Sequence, residues 1–362
     1  MKIELLTAEG VRNLAPLELA PRARFNVFVG DNGQGKTNLL EAIYVVAALR
    51  SFRTARLADL VAFGTERARI GARVAKAGLT RIYEVELADG SRKVRLDGKT
   101  VRPLARYFGG FNVVVFTPED LGLPRGSPSE RRRFLDRAVF NLRADYLGLV
   151  QDYEKVLKQR NAVLRRAAET GQGVEPLLAV YDAQLVQHGL TVAAARAQLV
   201  AELDGELARS FAAIARITAV ASIRYESETA GSTAEAFAAR LRESRARDLA
   251  SGSTQLGPHR DDLVFELDGR EAGAFASQGQ LRAMLLAWKT AELTLLTRVH
   301  GDPPILLLDD VSSELDPSRN AYLFEHLAEQ ASQCFITTTH EGHVLLAKDR
   351  ADYAVQNGQI SS

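Results

Sequence analysis

Two short stretches carry residues suited to a triphosphate. The first, GDNGQGKT, places Gly30, Asp31, Asn32, Gly33, Gln34, Gly35, Lys36 and Thr37 in a full match to GxxxxGK[ST]. Its glycines let successive main-chain amides face one concavity that holds phosphate oxygens, and the helix that follows turns its positive end to the same anion. Lys36 would reach the β and γ phosphates, and the Thr37 hydroxyl would coordinate Mg2+. The second stretch, PILLLDD at residues 304–310, ends an aliphatic run on two carboxylates. Such a run predicts a central strand, and ligands of open α/β sheets gather at the carboxyl ends of strands. Asp309 would hold the magnesium ion, and Asp310 would orient or deprotonate an attacking water. Adjacent buried carboxylates without a cation are costly, so loop and pair together point to one site for ATP and Mg2+.

The surrounding pattern supplies the elements that must position these residues. RFNVFV at 24–29 predicts a buried strand running into the loop, and the apolar stretch 38–49 predicts the helix behind it. From 69 to 99 apolar residues alternate, with Asp89-Gly90 and Asp97-Gly98 as turns, which predicts an antiparallel meander. FNVVVF at 111–116 predicts another core strand, and the Ala-, Leu-, Arg- and Glu-rich stretch 129–210 predicts several long helices. Glycine and serine at 229–237 and 251–254 break that texture, so a return to the first domain is expected near Asp248. The expected fold is α/β: a head of residues 1–124 and 249–362 with a mixed sheet and an antiparallel β-subdomain, and an inserted α-helical lobe of residues 125–248.

Composition narrows the partners. With 362 residues, 46% hydrophobic and 25% charged, the chain has globular composition and length for two domains. A net charge of +1 excludes a uniformly polycationic nucleic-acid coater, so any DNA contact must come from local patches. Cys334 is the single cysteine, which permits no internal disulfide and fits a reducing, cytoplasmic setting. Neither a secretory leader nor an apolar run of about 18 residues is present, and no membrane partner is expected.

FASQGQLR at 275–282 precedes an apolar helix, with Ser277 at its N-cap and Gly279 leaving room for close approach. The order of phosphate loop, SQGQ, PILLLDD, SSELD and TTTH resembles the ABC ATPases, in which the signature SGGQ caps a helix that reaches the γ phosphate held by the opposite subunit. Ser277, Gln278, Gly279 and Gln280 depart from that signature only at Gln278. Three further segments, PEDLGLPRGSPSERRRFLD at 118–136, YEKVLKQRNAVLR at 153–165 and GPHRDDLVFELDG at 257–269, resemble the RecF family of recombination mediators. The resemblance covers essentially the whole chain. Pro124 stands where an aliphatic residue is usual and Phe52 where a histidine is common, and neither touches the phosphate chemistry.

The resemblance implies an ABC-type ATPase head that forms an ATP-dependent homodimer, each ATP lying between one subunit's phosphate loop and the other's signature. Ser277, Gln278, Gly279 and Gln280 would then act across the dimer, and Asp316 of SSELD would contact the opposite subunit. His340 would sense the γ phosphate, although on its own it also reads as a surface histidine after a strand. Arg12 and Asn13 would lie beside the nucleotide. The resemblance further implies a weak DNA-dependent ATPase used as a switch, binding at gaps or single/double-strand junctions, and loading of RecA with RecO and RecR in repair, replication restart and SOS induction. Asp310 is one methylene shorter than the glutamate usual in ABC transporters, which predicts slow hydrolysis.

Candidate DNA contacts are less sharply marked. Between 131 and 166 ten bases (Arg131, Arg132, Arg133, Arg137, Arg143, Lys155, Lys158, Arg160, Arg165 and Arg166) face four acids, a local charge of +6. That excess predicts a basic surface for the phosphate backbone, while charges on long helices are also ordinary solvated faces. Arg50, Arg53 and Arg56 form a second patch. The alternative reading, an ABC transporter nucleotide-binding subunit, is opposed by the long helical stretch between Lys36 and Ser277. A chromosome-organising ATPase would need far longer heptad arrays.

Overall fold

The structure, a computed structural model, describes residues 1–170 and 174–361. They form two compact units, the first of residues 1–122, 213–216 and 282–362, the second of residues 123–212 and 217–281.

The first unit opens with β1 (Lys2–Glu9), β2 (Leu17–Leu19) and β3 (Phe25–Val29), which leads to α1 (Lys36–Ala48). Next come β4 (Arg67–Lys76), β5 (Leu79–Ala88), β6 (Ser91–Leu96), β7 (Lys99–Thr100) and β8 (Val113–Phe116). The second unit holds α2 (Pro128–Leu142), α3 (Tyr146–Thr170), most of α4 (Glu175–Ala215), β9 (Ala221–Glu226) and α5 (Ala234–Ser251). It continues with β10 (Asp262–Leu267), β11 (Arg270–Glu271) and α6 (Ala272–Phe275). The first unit is completed by most of α7 (Gln278–His300), β12 (Ile305–Asp309), α8 (Pro317–Gln330), β13 (Gln333–Thr338), β14 (Arg350–Gln356) and β15 (Gln359–Ser361).

Two sheets build the first unit. The order β15-β14-β3-β13-β12-β8 is parallel except for β15. Its central strands read as unbroken buried runs, because a parallel sheet is covered on both faces. The other sheet, β2-β1-β4-β5-β6-β7, is antiparallel throughout and contains the expected meander. Helix α1 touches strands of both sheets. That position explains a helix apolar on all sides, with Leu39, Leu40, Ile43, Val45 and Val46 buried. Cys334 is buried in β13, where desolvation pushes its thiol pKa up and leaves it unreactive.

In the second unit the expected helices are α2, α3 and α4, while residues 171–173 of the same stretch lie outside the described residues. Arg160 of α3, wholly buried, bonds Asp182 of α4 at 2.8 Å, Asp248 of α5 at 2.7 Å and Thr254 at 2.8 Å. The boundary differs from the one expected near Asp248. Strand β10 pairs with β9, with Phe265 opposite Ile223, and β11 completes a separate antiparallel sheet. The returning strand texture therefore belongs to the second unit, and the last stretch of the first unit begins at Arg282. No helix among the described residues is long and apolar enough to cross a membrane.

Candidate nucleotide site

Strand β3 feeds the glycine loop, and the loop feeds α1. At Gly30 a Cβ would lie 2.2 Å from the Val355 carbonyl oxygen of β14, so a side chain is excluded. Gly35, the N-cap of α1, has φ 110°, which an L side chain rarely adopts. Lys36 begins the helix and curls over its own loop, donating from Nζ to the carbonyl oxygens of Gly30 at 2.5 Å and Asp31 at 2.9 Å. Burial lowers its pKa, while Asp310, Asp309 and Asp31 pull it upward. The ammonium thus rests on neutral carbonyls although carboxylates surround it.

Asp309 closes β12. Its Oδ1 accepts from the hydroxyls of Thr37 and Thr337, each at 2.8 Å. Burial raises its pKa, and those hydroxyl bonds oppose the rise. Asp310, the next residue, has φ 49° and is held there by its amide, which donates to the Thr337 carbonyl and hydroxyl at 3.1 Å each. Its Oδ1 is buried with no hydrogen-bond partner among the described residues. An orphan carboxylate oxygen is rare and costly, and a cation or an ordered water is the usual remedy. The described residues contain no cluster of three or more His, Cys, Asp or Glu able to hold a metal alone. A hydroxyl and one carboxylate instead suit Mg2+, which takes few protein ligands and completes its shell with phosphate oxygens and water.

A ring of polar residues braces this centre. Arg12 (φ 51°) forms a two-point ion pair with Glu41 of α1, both contacts 3.0 Å. The buried Glu41 carboxylate also accepts from Arg53 at 3.3 Å and from Ser51. Asn13 donates to the Gly33 carbonyl at 3.0 Å and accepts from Asn38 at 2.6 Å. From the turn between β14 and β15, the Asn357 amide donates to Gln34 Oε1 at 2.6 Å and the Gly358 amide to the Gln34 carbonyl at 2.9 Å. Glu41, Thr337, Asn357 and Gly358 were not singled out as site residues in the sequence. A lone acid in an apolar helix and an Asn-Gly turn were the available signals.

The other expected residues make their own contacts. His340 is exposed, just beyond β13, with its ring edge-on to His343 at 5.4 Å. Asp316 caps α8, accepting from the amides of Ser318 and Arg319 at 3.1 Å each. Burial alone would raise its pKa, but the Arg319 amide, Ser318 and the Arg319 charge outweigh that and lower it. Ser277, Gln278, Gly279 and Gln280 lie in the second unit. There Ser277 Oγ accepts from the Gln280 amide at 3.2 Å, and Gln280 Oε1 accepts from the Ser277 amide at 2.8 Å, a reciprocal cap on α7.

The family model described as the RecF/RecN/SMC N terminal domain matches residues 2–362. Over 373 residues, covering 100% of this chain and 97% of the relative, the sequence is 43% identical to the DNA replication and repair protein RecF of Myxococcus xanthus (strain DK1622). The chain belongs to the RecF family. The RecF of Geobacter sp. (strain M21) is likewise 43% identical over 368 residues, 99% of this chain and 100% of that one. A solved structure of the recombination mediator protein RecF-ATP in the RecFOR pathway superposes with a TM-score of 0.89 at 30% identity, covering 99% of this chain and 96% of that one.

The segments that resembled the RecF family meet within the second unit. Arg131 grips Asp262 through two bonds, 2.8 and 2.5 Å, and Arg132 donates to the Asp261 carbonyl at 2.8 Å. Tyr153 bonds His259 Nδ1 at 2.6 Å. Burial drops the His259 pKa to about 4, so the ring is neutral. These contacts correct the expected basic surface. Arg131, Arg143 and Arg160 are committed to Asp262, Asp145 and the Asp182/Asp248 pair. Arg53 and Arg56 of the second patch pair with Glu41 and Asp59. Lys155, Lys158 and Arg165 remain exposed, and their spacing sets them on one face of α3, opposite buried Tyr153, Val156 and Leu164.

Proposed function

We propose that this RecF-family chain is an ATP-controlled recombination mediator whose working form is a dimer on DNA. The observation that carries the reading is the convergence of Thr37, Asp309 and Asp310 beside Lys36 at the carboxyl ends of β3 and β12. Amides of Gly30 to Lys36 would hold the phosphates, with Lys36 exchanging its two loop carbonyls for phosphate oxygens. Thr37 and Asp309 would hold Mg2+, which when bound offsets charge on the phosphates. Asp310 orients the attacking water, and its short side chain keeps hydrolysis slow. Arg12 and Asn13 would lie beside the nucleotide, Asn13 held to the loop through Gly33 and Arg12 to α1 through Glu41.

The signature turn Ser277 to Gln280 completes the nucleotide site of a second copy, Asp316 contacts that copy, and His340 responds to the γ phosphate. ATP acts chiefly to hold two chains together, so DNA that prefers the dimer also retains ATP. The face of α3 bearing Lys155, Lys158 and Arg165 contacts the phosphate backbone at gaps or single/double-strand junctions, with little base preference. RecO and RecR are the expected partners in loading RecA.

Sedimentation with ATP and a gapped duplex tests this reading. The native chain should form ATP-dependent dimers, Ser277→Arg should stay monomeric, and Lys36→Arg should bind ATP without hydrolysing it. Binding should fall steeply with salt, and less steeply in Lys155→Gln/Lys158→Gln. A native chain that stays monomeric with saturating ATP and DNA overturns the proposal.

A further inference from the structure

The signature turn stands at the joint between two helices of very different strength. Helix α6 is a single turn, Ala272–Phe275, whereas α7 runs from Gln278 to His300. Phe275, at the end of α6, is 73% exposed, so the burial that holds the joint comes from the small side chains of Ala272 and Ala276. A one-turn helix also leaves its last carbonyls without intrahelical partners. Arg125 supplies them: its Nε donates to the Gly273 carbonyl at 3.1 Å and its Nη2 to the Ala276 carbonyl at 2.8 Å. One planar guanidinium therefore grips both the body of α6 and the residue before Ser277.

Arg125 is exposed, but the main chain beside it is held. Arg131 donates to the Gly126 carbonyl at 2.7 Å while its other nitrogens hold Asp262 of β10. Ser127 and Glu130 cap α2 reciprocally, setting the chain direction just after Arg125. On the other side a Cβ at Gly273 would lie 2.3 Å from the Pro124 carbonyl oxygen, so α6 fits flush against the segment that carries Arg125. β10 and α2 thus anchor the end of the 3-10 helix Pro118–Arg125, whose last residue reaches the carbonyls just before α7.

We propose that Arg125 is a positioning residue for the signature turn: its forked grip on the Gly273 and Ala276 carbonyls sets the orientation of Ser277 and of the first amides of α7 before any nucleotide arrives. The inference rests on the reading of that turn as the half-site offered to a second copy's ATP. Lysine cannot reproduce the grip, because an ammonium is a point donor without a fixed fork.

Hydrogen exchange on the nucleotide-free chain tests the positioning step directly. In Arg125→Ala the hydrogen-bonded amides of Ala276, Ser277, Gln280 and Leu281 should exchange about tenfold faster, as expected for loss of charge-assisted bonds, with exchange elsewhere unchanged and the melting temperature lowered by no more than a few degrees. Gly273→Ala, which forces α6 away from Pro124, should do the same, and Arg125→Lys should fall between. ATP affinity measured on the monomer should stay native, while ATP-dependent self-association weakens about tenfold. Unchanged exchange at 276–281, native self-association in Arg125→Ala, or a rise in exchange spread over the whole chain each overturns the proposal. A native chain that fails to self-associate defeats the dimer reading instead, and the exchange arm still decides the role of Arg125.

Discussion

Thr37 donates its hydroxyl proton to Asp309 across 2.8 Å, although 272 positions separate them in the chain. The bond joins the first turn of α1 to the end of β12 and marks the place where a magnesium ion would draw both oxygens. Thr337 donates to the same carboxylate oxygen from the adjacent strand. Hydroxyls from two separate elements thus aim Asp309.

This preorganisation has a cost that a single substitution should expose. Burial raises the Asp309 pKa, so the folded chain binds the proton more tightly than the unfolded chain does. Stability therefore falls as pH rises from the unfolded pKa through the folded one, and the penalty is complete above it. Asp309→Asn should melt a few degrees higher than native at pH 7 without nucleotide, with the gap closing in acid. The same variant should lose ATP hydrolysis. A lower melting point at pH 7 would count against the burial penalty.

Glu41 should matter more to stability than any acid on the surface. It lies fully buried in α1 and neutralises Arg12 and Arg53. Glu41→Ala strips those guanidiniums of their counter-charge, a loss of about 1.5 kcal/mol, below that of a fully buried pair because both guanidiniums reach water. Urea denaturation measures it. A change within about 0.5 kcal/mol, the range for ordinary surface substitutions, would show that the charges find other partners.

Gly358 couples the terminal hairpin to the phosphate loop. Its φ is 77°, and a Cβ there would lie 1.9 Å from the Asn13 carbonyl oxygen. Gly358→Ala should destabilise the chain by at least about 2 kcal/mol through backbone strain and overlap. It should also weaken ATP binding, because Gln34 loses the amide that steadies it. Titration with a fluorescent ATP analogue, run beside thermal melting, separates the two effects. Native affinity in a folded Gly358→Ala would show that the hairpin does not set the loop.

His259 predicts an acid limit on the second unit. Its pKa falls from an ordinary 6.5 to about 4, because burial disfavours the charged ring. The unfolded chain takes up the proton below pH 6.5 while the folded chain resists until about pH 4, so stability is lost across that window as pH falls. At about 1.4 kcal/mol per pH unit the loss approaches about 3 kcal/mol. Denaturation midpoints at pH 7 and pH 4.5 should differ in the native chain and much less in His259→Gln. Equal acid sensitivity in both would assign the effect elsewhere.

Much of this was legible in the sequence, for definite reasons. The buried strands β3, β8 and β12 announce themselves because a parallel sheet covered on both faces selects unbroken apolar runs. The phosphate loop is legible because its geometry accepts few residue types. Strand β9 was not, since ASIRYE is short, half polar and set in helix-rich sequence. Neither was the fate of Arg160, whose three partners come from positions 182, 248 and 254. A count of charges treats it like Lys158 on the opposite face of α3, and only packing tells them apart.

The neighbours of β3 carry a consequence for how the protein is made. β3 ends at Val29 and, among the described residues, pairs only with β13, which starts at Gln333, and β14, which starts at Arg350. A ribosome adding about 5–20 residues per second needs roughly 15 to 60 s to span that interval. Throughout it the loop from Gly30 to Thr37 exists without the strands that brace it and without Asn357 and Gly358 beneath it. A nascent chain therefore carries the loop but not the site, and on the proposed function it captures ATP only after β14 and β15 have been made.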